Sequence, residues 1–439
     1  MCHHMPNALM ISLIAIHHIF RMALQVLAND FQSREGLQML AALAIFLVTY
    51  AVIGVGRLPG FRIDRTSAAI IGAVAMIAVG VLSLSEAVAS VDFNTIALLF
   101  GMMIVIAHLR LSGFFRLAGA GVLRHARRPI TLLISVVCVS GFLSAFLVND
   151  AICVALTPLV LDVAIALRRN PVPYLLALAM ASNVGSCATI TGNPQNMIIG
   201  TASGISYRAF AWALSPVAAL GLGVTVIVIA RFFPKEFRGS QRLEGESRRP
   251  HASQALMWKS IAAVSGMVVV FFLGWPAPIT ALVAAAFLLF SRRVKPEKVL
   301  SEVDWSLLAL FTGLFIIVAG VQKTTLFSLL PSGASHLRLG NAVVLSTLSG
   351  ILSNLVSNVP AVLVLKPLIP ALANPSRAWL MLAMSSTLAG NFTVLGSVAG
   401  LIVLHGARRK VEISFWDYFK VGAPLSLITI ALGILWLGR

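Results

Sequence analysis

Apolar runs near the length of a membrane span recur from one end of this 439-residue chain to the other, and they limit its fold more than any other feature. They lie at 8–28, 38–56, 66–86, 94–110, 174–201, 209–231, 257–275, 277–291, 303–320, 378–404 and 416–437. A helix of roughly 20 apolar residues crosses a bilayer, so the pattern predicts an all-α polytopic membrane protein with about eleven transmembrane helices. Composition agrees: 59% of residues are hydrophobic and 11% charged, whereas a soluble domain carries about a quarter charged. The formal charge of +18 sits in short Lys/Arg clusters between apolar runs, the pattern of cytoplasmic membrane loops and not of a nucleic-acid surface. Cys2, Cys138, Cys153 and Cys187 have no paired spacing, which argues against a disulfide framework or a structural metal.

Two further apolar stretches, 130–167 and 341–372, are interrupted at mid-length by Asn149-Asp150 and by Ser357-Asn358-Val359-Pro360. They read as re-entrant helical hairpins; two full crossings each is the alternative, and it leaves the sidedness of everything downstream unchanged. The segment FFRLAGAGVLRHARRP between 94–110 and the first hairpin alternates apolar and basic residues, as an interfacial amphipathic helix does. The first run, with His17, His18 and Arg21, is either a span or a signal peptide, although no small-residue cleavage site follows it.

Internal similarity organises the rest. VDFNTIALLFGMMIVIAHL from Val91 matches VDWSLLALFTGLFIIVAGV from Val303, and SGFLSAFLVNDAICVALTPLVL from Ser140 matches SGILSNLVSNVPAVLVLKPLIP from Ser349. AMASNVGSCATITGNPQNMII from Ala179 matches AMSSTLAGNFTVLGSVAGLIV from Ala383. The chain therefore divides into an N-terminal segment 1–37, a first repeat 38–231, a polar cytoplasmic linker 232–256 and a second repeat 257–439. Five spans and one hairpin per half make the repeats inverted. With the N-terminus cytoplasmic, the inner loops and their edges hold 25 Lys and Arg and the outer ones six, the bias expected of a multi-pass protein of the cell's inner membrane.

Helix interruptions at membrane depth are tolerated only where they are buried in protein or line a cavity, so they locate the chemistry. Four helix starts carry a capping residue: Asn149-Asp150, Asn358 ahead of Pro360, Asn193-Pro194 and Gly396-Ser397. Converging, their N-H groups suit an anion and unwound carbonyls suit a cation. The substrate-binding candidates are Asn149, Asn193, Asn196, Asn358 and Ser397; the coupling-ion candidates are Asp150, Thr189, Thr191, Gly192, Asn391, Thr393 and Gly396. Asp150 is the acid placed most firmly in the core, where its charge is costly, and it reads as a Na+ or proton carrier or as a helix cap. Asn149 and Asn358 read as ligand groups or caps, and the threonines as cation ligands or packing groups. Lys366 reads as an anion attractor or as a snorkelling side chain, Asp92 and Asp304 as helix caps, and Cys2, His3 and His4 as a terminus too poor in ligands for a metal.

ASNVGSCATITGNPQNMIIG and STLAGNFTVLGSVAGLIV resemble the paired signatures of the ion transporter superfamily of secondary carriers, over roughly residues 38–437. That superfamily includes divalent anion:sodium symporters, the arsenite pump membrane subunit and sodium/proton antiporters. The resemblance implies a scaffold and a transport domain, a homodimer and an elevator-like motion. The hairpin tips depart from it: dicarboxylate and citrate symporters carry Ser-Asn-Thr there, whereas this chain has Val148-Asn149-Asp150-Ala151 and Ser357-Asn358-Val359-Pro360. The second break has Gly400 where relatives of this kind commonly have Asn.

The expectation is a secondary transporter of a small anion, an inorganic oxyanion or a carboxylate, coupled to Na+ or H+ by alternating access and needing no cofactor. Arsenite or antimonite efflux, with Asp150 taking the proton, is the alternative, and sodium/proton antiport a further one. No His-Glu-x-x-His, Gly-x-Ser-x-Gly or Walker-type motif occurs, so enzyme chemistry is not expected.

Overall fold

A computed structural model describes residues 34–56, 63–125, 128–237, 253–324 and 338–438. The first apolar run, most of the polar linker, and Cys2, His3 and His4 lie outside the described residues. Among the described residues the regular elements are all helices, and eight of the helices are long and apolar enough to cross a membrane, by length and composition. The chain forms two compact units: one of Met1–Asp92, Trp305–Leu348 and Leu363–Ala378, the other of Phe93–Asp304, Ser349–Val362 and Trp379–Arg439.

The first unit contains α1 (Arg34–Val55), α2 (Arg65–Ala78) and α3 (Leu84–Ala89). The run at 66–86 is not one helix. It ends at Ala78, Gly80 takes a left-handed φ of +77°, and Ser83 and Glu86 open α3 with a capping box. Lys323, past the end of a later helix of the same unit (Trp305–Gln322), holds Glu86 at 2.7 Å. That helix meets α2 at small residues: a Cβ at Gly313 would stand 2.7 Å from the Ala69 carbonyl oxygen.

In the second unit α4 (Phe93–Ser112) is followed by α5 (Phe114–His125), which covers the expected amphipathic segment. Then come α6 (Pro129–Phe146) and α7 (Asn149–Ala166), the first hairpin, with legs of 18 residues, about 27 Å each. By length and composition each leg could cross a bilayer alone. Next are α8 (Pro171–Ser186), a 3₁₀ turn (Ile190–Gly192), α9 (Pro194–Ser203), α10 (Tyr207–Phe232) and the short α11 (Pro234–Phe237). Helices α12 (Gln254–Phe272), α13 (Ala277–Leu289) and α14 (Pro296–Leu300) follow. The helix Trp305–Gln322 is α15.

The stretch expected as the second hairpin contains α16 (Ala342–Val356) and α17 (Asn358–Leu365), prolonged by a 3₁₀ stretch (Lys366–Ala371); residues 349–362 belong to the second unit and those on either side to the first. After it α18 (Pro375–Ala389), a 3₁₀ turn (Val394–Gly396) and α19 (Val398–Ala407) repeat the order seen at the first break. The last element is α20 (Phe415–Leu437).

Glycine permits close crossings in this unit. A Cβ at Gly185 would stand 2.5 Å from the Gly141 Cα, which brings α8 and α6 into backbone contact. A Cβ at Gly101 of α4 would stand 2.8 Å from the Ala281 carbonyl carbon of α13. Gly101 and Gly313 are matched in the sequence repeat, and each meets the backbone of an alanine within its own unit.

Candidate functional site: two broken helices joined by an uncharged network

The first break follows from its residues. Gly192 lies so close to the Ser186 carbonyl that no side chain fits, and Pro194 withdraws one N-H while biasing Asn193 to extended backbone. Asn193, at φ −155°, caps α9 by accepting from the Asn196 N-H at 2.9 Å. The amide of Asn196 turns back to donate to the carbonyls of Ser186 (3.2 Å), at the end of α8, and of Thr189 (3.0 Å), at the start of the 3₁₀ turn.

The second break solves the same problem with a different residue. Ser397 caps α19 by accepting from the Ala399 N-H at 3.2 Å, and Thr393 accepts from the Gly396 N-H at 3.2 Å. Gly400 stands where Asn196 stands in the first half. The missing amide comes from Asn354 on α16, which donates to the carbonyls of Ala389 (2.9 Å) and Gly350 (3.0 Å) and accepts from the Thr393 hydroxyl (3.0 Å). Its counterpart on the first hairpin is Ala145, whose carbonyl accepts from Thr189. A Cβ at position 400 would lie 2.9 Å from the Tyr418 hydroxyl, so Tyr418 occupies the space of the absent side chain.

The four interruptions meet through side chains. Asn149 donates to Asn183 Oδ1 (3.0 Å), Ser397 donates to the same oxygen (2.9 Å), and Asn183 Nδ2 donates to Asn391 Oδ1 (2.9 Å). In the other direction Asn193 and Gln195 donate to the Thr387 hydroxyl, each at 3.2 Å. With its amide oriented to match its neighbours, Asn358 donates to the carbonyls of Gly396 (2.8 Å) and Ser386 (3.1 Å) and accepts from Gln195 (3.2 Å). Asn183 and Thr387 occupy matched positions in the repeated blocks, as do Asn193 and Ser397. The contacts Asn183–Ser397 and Thr387–Asn193 are therefore reciprocal.

These side chains are buried, and no Lys, Arg or His takes part among the described residues. Most of the expected cation ligands are already engaged: Thr189 by Ala145, Thr191 by Tyr207 (2.9 Å), Asn391 by Asn183 and by the Met180 carbonyl (3.1 Å). Of the expected site residues, two keep an open group among the described residues: Asn149 Oδ1 is buried without a hydrogen-bond partner, and the half-buried Asp150 carboxylate forms no ion pair or hydrogen bond there. An unpaired buried acceptor costs about 1–3 kcal/mol, which a ligand donor or cation would remove. No group of three His, Cys, Asp or Glu converges among the described residues, so a cation in this network would be held by amide, hydroxyl and carbonyl oxygens.

One expectation requires correction. Asn149 does not cap α7: the N-cap is Val148, with no side-chain cap, and Asn149 is the first helical residue, its amide turned to Asn183 instead of its own helix. Lys366 falls in the first unit, where its Nζ stands 5.9 Å from the Phe315 ring centroid. Sequence reasoning missed Asn183, Thr387, Gln195 and Asn354. For Asn183 and Thr387 the signal was present, since the repeat aligns two polar residues one turn before each break.

Comparison with known proteins agrees with this architecture. The family model of the citrate transporters (CitMHS) matches residues 45–389. The silicon efflux transporter LSI3 of Oryza sativa subsp. japonica is 32% identical, covering 87% of this chain and 94% of its own. A Dictyostelium discoideum protein named arsB is 25% identical over 85% of this chain and 87% of its own. Among solved structures, the YdaH transporter of Alcanivorax borkumensis shares the fold with a TM-score of 0.60 at 16% identity, covering 92% of this chain and 97% of that one. The chain belongs to the citrate transporter family within the ion transporter superfamily, and it is an all-helical membrane transporter of small solutes.

Proposed function

We propose that the protein is a secondary transporter that carries a small oxyanion or carboxylate through the cell's inner membrane by alternating access, coupled to Na+ or H+. The observation that carries this reading is the joining of the two broken helices through Asn183–Ser397 and Thr387–Asn193, beside Asn149 Oδ1 and the Asp150 carboxylate, neither of which has a partner among the described residues. Solute oxygens would be received by the helix starts at Asn149, Asn193, Asn358 and Ser397 together with Asn196. The coupling ion would be handled by Asp150 with the oxygens around Thr189, Thr191, Gly192, Asn391, Thr393 and Gly396. The active form in this reading is a homodimer with its N-terminus in the cytoplasm.

A second reading is extrusion of an undissociated or singly charged oxyacid, such as arsenite or antimonite. It is favoured by the wholly uncharged side chains of the network and by the similarity to a silicon efflux transporter. Such acids both donate and accept hydrogen bonds, and their burial does not require a cationic side chain.

Proteoliposomes separate the two. Uptake of sulfate, phosphate, succinate, citrate, arsenite and silicic acid is followed under imposed Na+ or proton gradients. Saturable, gradient-driven movement of a carboxylate or sulfate supports the first reading, movement of arsenite or silicic acid alone supports the second, and unsaturable ohmic current defeats both.

A further inference from the structure

An apolar slot runs between α5, α6 and α7, away from the uncharged network. Its walls are Gly119, Val136, Val139, Leu156, Leu159 and Val163, and the free space along them, counted together with the open space it leads into, comes to about 420 Å³. Tyr174 closes one end with its ring, since its hydroxyl is turned away to donate to Glu236 at 2.9 Å. From Leu132, one turn inside the start of α6, the slot reaches Val139, about 10 Å further along the axis at 1.5 Å per residue.

The end of the slot near Leu132, Val163 and Tyr174 is where α6 begins, α7 ends and α8 begins, and arginines gather there in sequence. Arg128 precedes α6 and Arg168 and Arg169 follow α7; Arg116 lies in the first turn of α5, three residues before the slot residue Gly119. Arg116, Arg128 and Arg168 are exposed and form no ion pair among the described residues. Arg169 stands 4.0 Å from Glu236. Asp162, the other acid on this stretch, is held by Lys410 at 2.8 Å.

We propose that this slot is a binding site for an anionic phospholipid, with one acyl chain between α5 and the first hairpin and the phosphate among Arg116, Arg128 and Arg168. An apolar wall offers water no partners, whereas a hydrocarbon chain loses nothing by lying against it. Clustered arginines at one end of an apolar cleft in a membrane protein supply the positive field that selects a charged head group. The occupant touches both legs of the hairpin whose tip carries Asn149 and Asp150, so it braces that element from the opposite end. This inference requires membrane embedding and nothing about which solute is carried.

Lipid retention tests it. The full chain, purified in detergent and incubated with dioleoyl phosphatidylglycerol or dioleoyl phosphatidylcholine, is examined by native mass spectrometry. Wild type should keep phosphatidylglycerol at least fivefold more than phosphatidylcholine. Gly119→Leu should lose that retention, because a Cβ at Gly119 already reaches 3.4 Å from Leu159 and the added carbons fill the slot. Val139→Phe narrows it from the α6 side and serves if Gly119→Leu is not monodisperse. Arg128→Gln with Arg168→Gln should abolish the preference for the anionic lipid. Equal retention of the two lipids by wild type, or undiminished phosphatidylglycerol in a folded slot-filling variant, overturns the proposal.

Discussion

The amide of Asn183 donates to Oδ1 of Asn391 at 2.9 Å, across 208 residues of chain. Asn183 Oδ1 in turn receives Asn149 and Ser397, so one side chain ties the tip of the first hairpin to both residues of the second break. Hydrogen bonds between membrane helices average about 0.6 kcal/mol and reach about 1.7, because the separated helices also find partners. A double-mutant cycle of Asn183→Ala with Asn391→Ala should give a coupling within that range in detergent unfolding. Transport by Asn183→Ala should fall at least tenfold while membrane insertion is kept. Wild-type rates in that variant would remove Asn183 from the site.

Tyr418 and Gly400 make a sharper case for stability. The Tyr418 hydroxyl is buried without a partner among the described residues and fills the space beside Gly400. Tyr418→Phe should leave thermal stability unchanged or raise it, since an unpaired buried hydroxyl costs about 1–3 kcal/mol. Gly400→Ala should destabilise, with a contact of 2.9 Å to that hydroxyl, and adding Tyr418→Phe should recover most of the loss. Midpoints of the three variants, measured under one detergent condition, decide it.

Asn354 supplies the amide that the second break lacks, so its removal leaves the Ala389 carbonyl without that donor. Asn354→Ala should lower stability by about 1–3 kcal/mol and reduce transport, whereas Ala145→Ser at the matched position, where only a backbone carbonyl is used, should be milder. Equal effects at the two sites would show that the amide is not what matters.

Asp150→Asn should uncouple transport: solute movement would lose its response to an imposed Na+ or proton gradient. Retained coupling assigns the ion elsewhere. Asn149→Ala and Asn358→Ala should each raise the half-saturating solute concentration roughly tenfold, the size of one hydrogen bond to a partly charged ligand. Unchanged affinity in both would move the solute away from the hairpin tips.

Much of this architecture is legible in the sequence, and the legible part has a common cause. A bilayer forces backbone polar groups to be satisfied within each segment, so span-length apolar runs, Pro194 and the glycines of the breaks report local structure directly. The run at 66–86 misled because hydropathy does not register Gly80, where the chain turns, or the capping box that restarts it. The repeated blocks locate both breaks, and the resemblance they carry leads to the right family.

What the one-dimensional pattern could not supply is partnership. Asn149 is in the expected place, but only packing decides that its amide serves Asn183 and not its own helix. Gly400 reads from sequence as a lost contact; in three dimensions Asn354, 46 positions earlier, provides it, and Tyr418 takes the space. Caps and breaks depend on a few neighbouring residues and can be read from them. Which of two buried amides donates to which carbonyl depends on how helices some 200 residues apart are brought together, and that was decided by the folded chain alone.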